Sequence, residues 1–182
     1  MSLQSVTKID AAIRQLAAAI RLHFEDGEPL AVHTIAGAAH GLLRDLLRPN
    51  TKRSRPQVGA TGVQPDQTAF VTKMLRDARS FLKHADRDPH SVLAFNTDWT
   101  DFMLYEAIHM HLSLTCELTP ESSFFLMWVT AKYPTVLLLE DQTEGRIHEL
   151  RRIFPALGTV AVQKRAFLLA LNHSLNASRG DT

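Results

Sequence analysis

Apolar residues recur at three- to four-residue intervals along most of the chain, the period of helices buried on one face. Between Thr7 and Phe24 the stripe is Ile9, Ile13, Leu16, Ile20 and Phe24, with Arg14 and Arg21 elsewhere on the wheel. Gly27, after the acidic pair Glu25 and Asp26, ends this helix. Pro29 opens a second helix that runs to Arg48, ahead of Pro49. Its stripe is Val32, Ile35, Ala39, Leu42, Leu43 and Leu46. The short link predicts an antiparallel pair.

The same spacing predicts a third helix, capped by Asp66 and continuing to His84, through Phe70, Met74, Ala78, Phe81 and Leu82. A fourth starts at Thr97 or Asp98 and runs to Thr115, turning Phe102, Met103, Ala107, Met110 and Leu114 inward. Thr119-Pro120-Glu121-Ser122 is a helix start with proline at the first position. The fifth helix, to Lys132, is apolar nearly all round, which predicts a central position or a subunit interface. Tyr133-Pro134 breaks it. A short helix over 135–140, a longer one over 143–154 and a last one, capped by Thr159 and reaching Asn176, complete the reading, with 177–182 as a frayed tail. The stretch 49–65, with Pro56, Gly59, Gly62 and the run Lys52-Arg53-Ser54-Arg55, reads as a long basic loop. It serves either as a solvated crossover or as a grip for a phosphate or an acidic partner. The sum is an all-α helical bundle of about seven helices forming a single domain over 1–182.

Composition narrows the function classes. The 182 residues carry 20 Lys and Arg against 19 Asp and Glu, a formal charge of +1, which argues against general DNA binding and against a membrane surface. No apolar run is long enough to span a bilayer, and the start of the chain lacks a signal-peptide core, so a cytoplasmic protein is expected. One cysteine, Cys116, excludes an internal disulfide framework and a cysteine-based zinc cage, and is expected to be a buried thiol. The Gly-x-Ser-x-Gly elbow, the phosphate loop and the dinucleotide fingerprint are all missing from the sequence.

Nine histidines stand out against this background. On the second helix His33, Gly37, His40 and Arg44 share one stripe away from the aliphatic one. Either it is a solvated face or it is a polar ligand pocket, with Gly37 and Gly41 allowing close approach. On the fourth helix Glu106 and His109 stand at i and i+3, the spacing at which one face offers a carboxylate and an imidazole to a metal, and His33 or His40 would complete a single-metal site. After the third helix, His84, Asp86, Asp88 and His90 alternate and can offer ligands to a cation, or Asp86 and Asp88 simply form the turn. His111 points to a different side of the fourth helix from His109, and His23, His148 and His173 lie on separate helices outside these groups.

Arg79-Ser80-Phe81-Leu82-Lys83-His84 fits Arg-x4-His, and here the chain resembles the HEPN-type helical domains. The resemblance implies an all-α bundle that forms a homodimer and acts as a metal-independent endoribonuclease of toxin or defence type, with RNA as substrate. It assigns His84 as general acid and base at the 2′-hydroxyl and Arg79 as stabiliser of charge on the scissile phosphate. Ser80 stands where the family more often has Asn or Asp. The competing reading pairs Arg79 and His84 with nearby carboxylates such as Asp77 or Asp86. Two further classes stay open: a helical module holding a small ligand or metal in a His/Arg/Glu pocket, and a structural dimeric interaction protein. No cofactor is specified by any of these patterns.

Overall fold

The computed structural model describes residues 3–48, 63, 65–84, 86, 88–133 and 158–180. They form six helices: α1 (Lys8–Phe24), α2 (Pro29–Leu47), α3 (Thr68–Lys83), α4 (Asp98–Thr115), α5 (Pro120–Lys132) and α6 (Val160–Gly180). The all-α class is as the sequence pattern implies. The short helix over 135–140, the helix over 143–154 and the basic run Lys52–Arg55 lie outside the described residues. Among the described residues no helix is long and apolar enough to cross a membrane.

Helix starts follow side-chain chemistry, with several differences from the sequence reading. Thr7 and Asp10 form a reciprocal capping box at α1, the Thr7 hydroxyl accepting from the Asp10 N–H at 3.1 Å. Glu28 caps α2, its carboxylate accepting from the Ala31 N–H at 2.7 Å just ahead of Pro29. Thr119 caps α5 as expected, accepting from the Ser122 N–H at 3.2 Å. Asp66 does not cap α3, whose first flanking residue is Gln67, and Asn96 rather than Thr97 accepts from the Asp98 N–H. α6 continues through the predicted tail to Gly180.

The α1–α2 turn is tight. Asp26, not Gly27, takes the left-handed backbone conformation, with φ 54°. Gly27 donates its N–H to the Leu22 carbonyl at 2.8 Å, and a Cβ there would lie 3.0 Å from that oxygen. The two helices then pack along their length as a hairpin, and α4 packs against α2.

The core explains which apolar stripes were real. Ala12, Leu16, Ala19, Ile20 and Phe24 of α1 meet Val32, Ala36, Ala39 and Leu43 of α2. α4 is buried over nearly its whole circumference, from Thr100 through Ile108, because α1, α2, α3 and α5 all contact it. α5 is a core helix too: Phe125, Trp128 and Val129 are fully buried, and Phe24, Phe125 and Trp128 form one aromatic cluster. Its apolar surface is covered largely within the chain. Phe167 of α6 stacks on Phe24, with ring centres 6.0 Å apart. Among the described side chains of α3, Val71, Leu75 and Ala78 are buried; those of the expected stripe members Phe70 and Met74 lie outside the described residues. Cys116 is exposed rather than buried, because α4 ends there in a left-handed residue, φ 59°.

Candidate functional site

The polar stripe of α2 points inward. His33, Gly37 and His40 are buried, because α4 lies along this face. His33 Nδ1 is 3.2 Å from Thr100 Oγ1, and His40 Nε2 is 3.0 Å from Glu106 Oε2. Both pairs ascend together, so α2 and α4 run parallel. The imidazoles fill the seam because each finds an oxygen on α4, which a buried polar group requires. The His33 ring also meets the Phe95 ring edge-on at 5.2 Å. Burial, reinforced by the neighbouring His40, pushes the His33 imidazolium down to a pKa of about 4. His33 Nε2, His40 Nδ1 and Glu106 Oε1 remain buried without a hydrogen-bond partner among the described residues.

The His40–Glu106 pair opens onto a pocket of about 160 Å³ between α2, α3 and α4. Arg44, Arg76 and Arg79 line it, with Thr72 and Leu75. Asp45 holds Arg44 at 3.1 Å, and Asp77 holds Arg76 at 3.3 Å. Arg79 makes no ion pair or hydrogen bond among the described residues. Burial lowers the pKa of its guanidinium, the positive charge of Arg44 adds to this, and Asp45 works against it. Four candidates taken from three separate sequence patterns thus converge: His40 and Arg44 from α2, Arg79 from α3 and Glu106 from α4.

Other candidates stand apart. His84 ends α3, donating its backbone N–H to the Ser80 carbonyl at 3.1 Å, and its half-buried ring is not part of this pocket. Ser80 is exposed, and so are Asp86, Asp88 and His90. His109 lies against the Tyr105 ring at 4.4 Å, whereas the Glu106 carboxylate turns to His40. Among the described residues no three His, Cys, Asp or Glu side chains gather to hold a metal ion. Nor is close approach visible at the α2 glycines: no described atom lies within 4 Å of a Cβ built on Gly37 or Gly41.

A larger cleft, of about 560 Å³, lies at the other end of α2, where α1, α4, α5 and α6 meet. Its wall holds Asp101, which is 1% exposed. Asp101 Oδ2 accepts from Lys132 Nζ and from the Tyr133 hydroxyl, both at 2.7 Å, and Lys132 also reaches Asp98 Oδ1 at 2.8 Å. Burial raises the Asp101 carboxyl above its ordinary range, with Lys132 and Tyr133 pulling it back. For Lys132, burial lowers the pKa, but the charges and hydrogen bonds of Asp101 and Asp98 outweigh that and hold it cationic. His23 Nε2 is 3.4 Å from Asp101 Oδ1, and neither atom has another hydrogen-bond partner among the described residues. Its ring is packed edge-on among Phe24, Phe125 and Trp128, and burial keeps it neutral.

Sequence reasoning passed over this cluster. Its five members, His23, Asp98, Asp101, Lys132 and Tyr133, come from α1, α4 and the end of α5, and no local spacing relates these three segments. The available signal was Asp101 itself, a carboxylate beside the apolar run Phe102-Met103-Leu104. Arg21 and Glu121 add a further ion pair between α1 and α5. No protein-family model, curated protein or solved structure matches the chain, so the sites stand on this geometry alone.

Proposed function

We propose that the chain is a ligand-binding helical module that takes a small anionic ligand in the pocket formed by α2, α3 and α4. One observation carries this reading: three guanidinium groups, Arg44, Arg76 and Arg79, share one small cavity over the buried His40–Glu106 pair. Arg44 and Arg76 are held by adjacent aspartates, whereas Arg79 is a half-buried cation with no ion pair or hydrogen bond among the described residues. A bound phosphate or carboxylate supplies the missing counter-charge, and planar guanidinium forks fit such groups in bidentate fashion. The volume equals that of about five water molecules, which suits a phosphoryl or carboxylate group with a few attached atoms. Titration calorimetry with inorganic phosphate tests the reading. Saturable binding is expected, with a loss of at least about tenfold in Arg79→Met. Absence of binding by phosphate and by citrate, or an unchanged affinity in Arg79→Met, refutes it.

A second reading uses the same arginine. In a HEPN-like ribonuclease, Arg79 would meet the scissile phosphate, His84 would move the proton, and Ser80 would help shape the site in a cytoplasmic homodimer. Its support is that Arg79 is a half-buried cation of α3 with no ion pair among the described residues and that His84 follows at the end of the same helix. RNA cleavage lost in both Arg79→Met and His84→Ala is the expected result, and cleavage unchanged in His84→Ala removes this reading.

A further inference from the structure

α6 packs on α1 and α5, and its buried side chains are Gln163, Phe167 and Leu171. Val162, Arg165, Leu169, Asn172 and Asn176, at alternating spacings of three and four, form an exposed stripe along the opposite side. Val162 is 52% exposed and Leu169 64%. With Val160 they are three of the eight large apolar side chains exposed among the described residues, and no other described helix has more than one. Apolar exposure gathered on one helix, rather than scattered singly, marks a surface that is covered by something.

Beside the stripe a groove of about 430 Å³ runs between α6 and the end of α1. Phe24, Ala161, Val162 and Leu168 make its lining apolar, with Glu25 on the α1 side and Arg165 on the α6 side. Both charged side chains are exposed, and neither makes an ion pair or a side-chain hydrogen bond among the described residues. A face with opposite charges on its two walls is its own complement. A two-fold rotation sets Arg165 of one copy against Glu25 of the other, and the same contact recurs with the roles exchanged. A rim of one sign would instead call for a partner of the opposite charge. The formal charge of +1 leaves little long-range repulsion between copies.

We infer that two copies of the chain associate through this face, Val162 and Leu169 packing against the same stripe of the second copy and Arg165 pairing with the partner's Glu25. The face shares no residue with the arginine pocket, so association and anion binding are separable.

Sedimentation equilibrium of the full chain, from low micromolar to millimolar concentration, tests this. A concentration-dependent rise from 20.4 kDa to twice that mass is expected. Leu169→Glu should stay at monomer mass with an unchanged circular dichroism spectrum, because the side chain is exposed. Arg165→Glu and Glu25→Arg should each weaken association by at least about tenfold, since two like-charge contacts replace two opposite ones. Mixed in equal amounts, these two variants should associate as wild type does, because both contacts between unlike copies again join opposite charges. A wild type that stays monomeric throughout, association unchanged in Leu169→Glu, or a mixture no more associated than either variant alone overturns the inference.

Discussion

Replacing Lys132 by Met isolates the electrostatics of the buried Asp101. The methionine keeps most of the lysine stem, so packing on the Trp128 and Tyr133 rings, which the ammonium approaches at 5.0 and 4.9 Å, is largely retained. What disappears is the cation 2.7 Å from a carboxylate that is 1% exposed. The Tyr133 hydroxyl still donates to Oδ2, so Asp101 is left with one donor and no counter-charge. Breaking a buried ion pair from one side costs about 3–5 kcal/mol. Tyr133 places the expected loss near the lower figure. Against a typical total of about 5–15 kcal/mol this is a large fraction. In urea, with a slope of about 1–3 kcal/mol per molar, the midpoint should fall by roughly 1–3 M. Two companion measurements identify the cause. Adding Asp101→Asn to Lys132→Met should recover about 2 kcal/mol in a double-mutant cycle, because the stranded charge is gone. Since burial raises the Asp101 pKa, the folded variant takes up a proton more readily than the unfolded chain, so its deficit should shrink as pH falls. A loss under about 1 kcal/mol, or a double variant no more stable than the single one, would show that water screens the pair and would refute this account.

Three further outcomes are expected. His33 stays neutral in the fold down to about pH 4, whereas the unfolded chain protonates it near the ordinary value of 6.5. Its stabilising contribution, complete above 6.5, is lost as pH drops through that window, by up to about 3 kcal/mol. His33→Gln should therefore flatten the stability profile measured by urea unfolding between about pH 7 and pH 5, and an unchanged slope contradicts the burial argument. Gly41→Ala should raise stability by about 1 kcal/mol in thermal unfolding, since a Cβ there meets no described atom and alanine favours helix; a loss instead would reveal a required close approach. Cys116 should react fully with a thiol reagent in the native protein, at the rate of an exposed thiol, and protection until unfolding would contradict its exposure at the end of α4.

The periodicity of apolar residues was enough to define the helices, because a helix buried on one face writes its period into the chain. It placed α1, α2, α4 and α5 within a residue or two, and it identified Thr119 and Pro120 as a start, since caps and prolines act locally. Three separate sequence patterns also named His40 and Arg44, Arg79, and Glu106. That those four share one pocket depends on α2 and α4 running parallel with α3 beside them, a relation between residues up to 66 positions apart that no local spacing encodes. The direction of the α2 polar stripe was likewise undetermined: the same His33-Gly37-His40 pattern serves a solvated face or a buried seam, and Thr100 and Glu106 on α4 decided for the seam. The Asp101 cluster belongs wholly to the tertiary structure. A carboxylate is buried where a lysine, a phenol and an imidazole from other helices converge on it, and that convergence exists once the chain has folded.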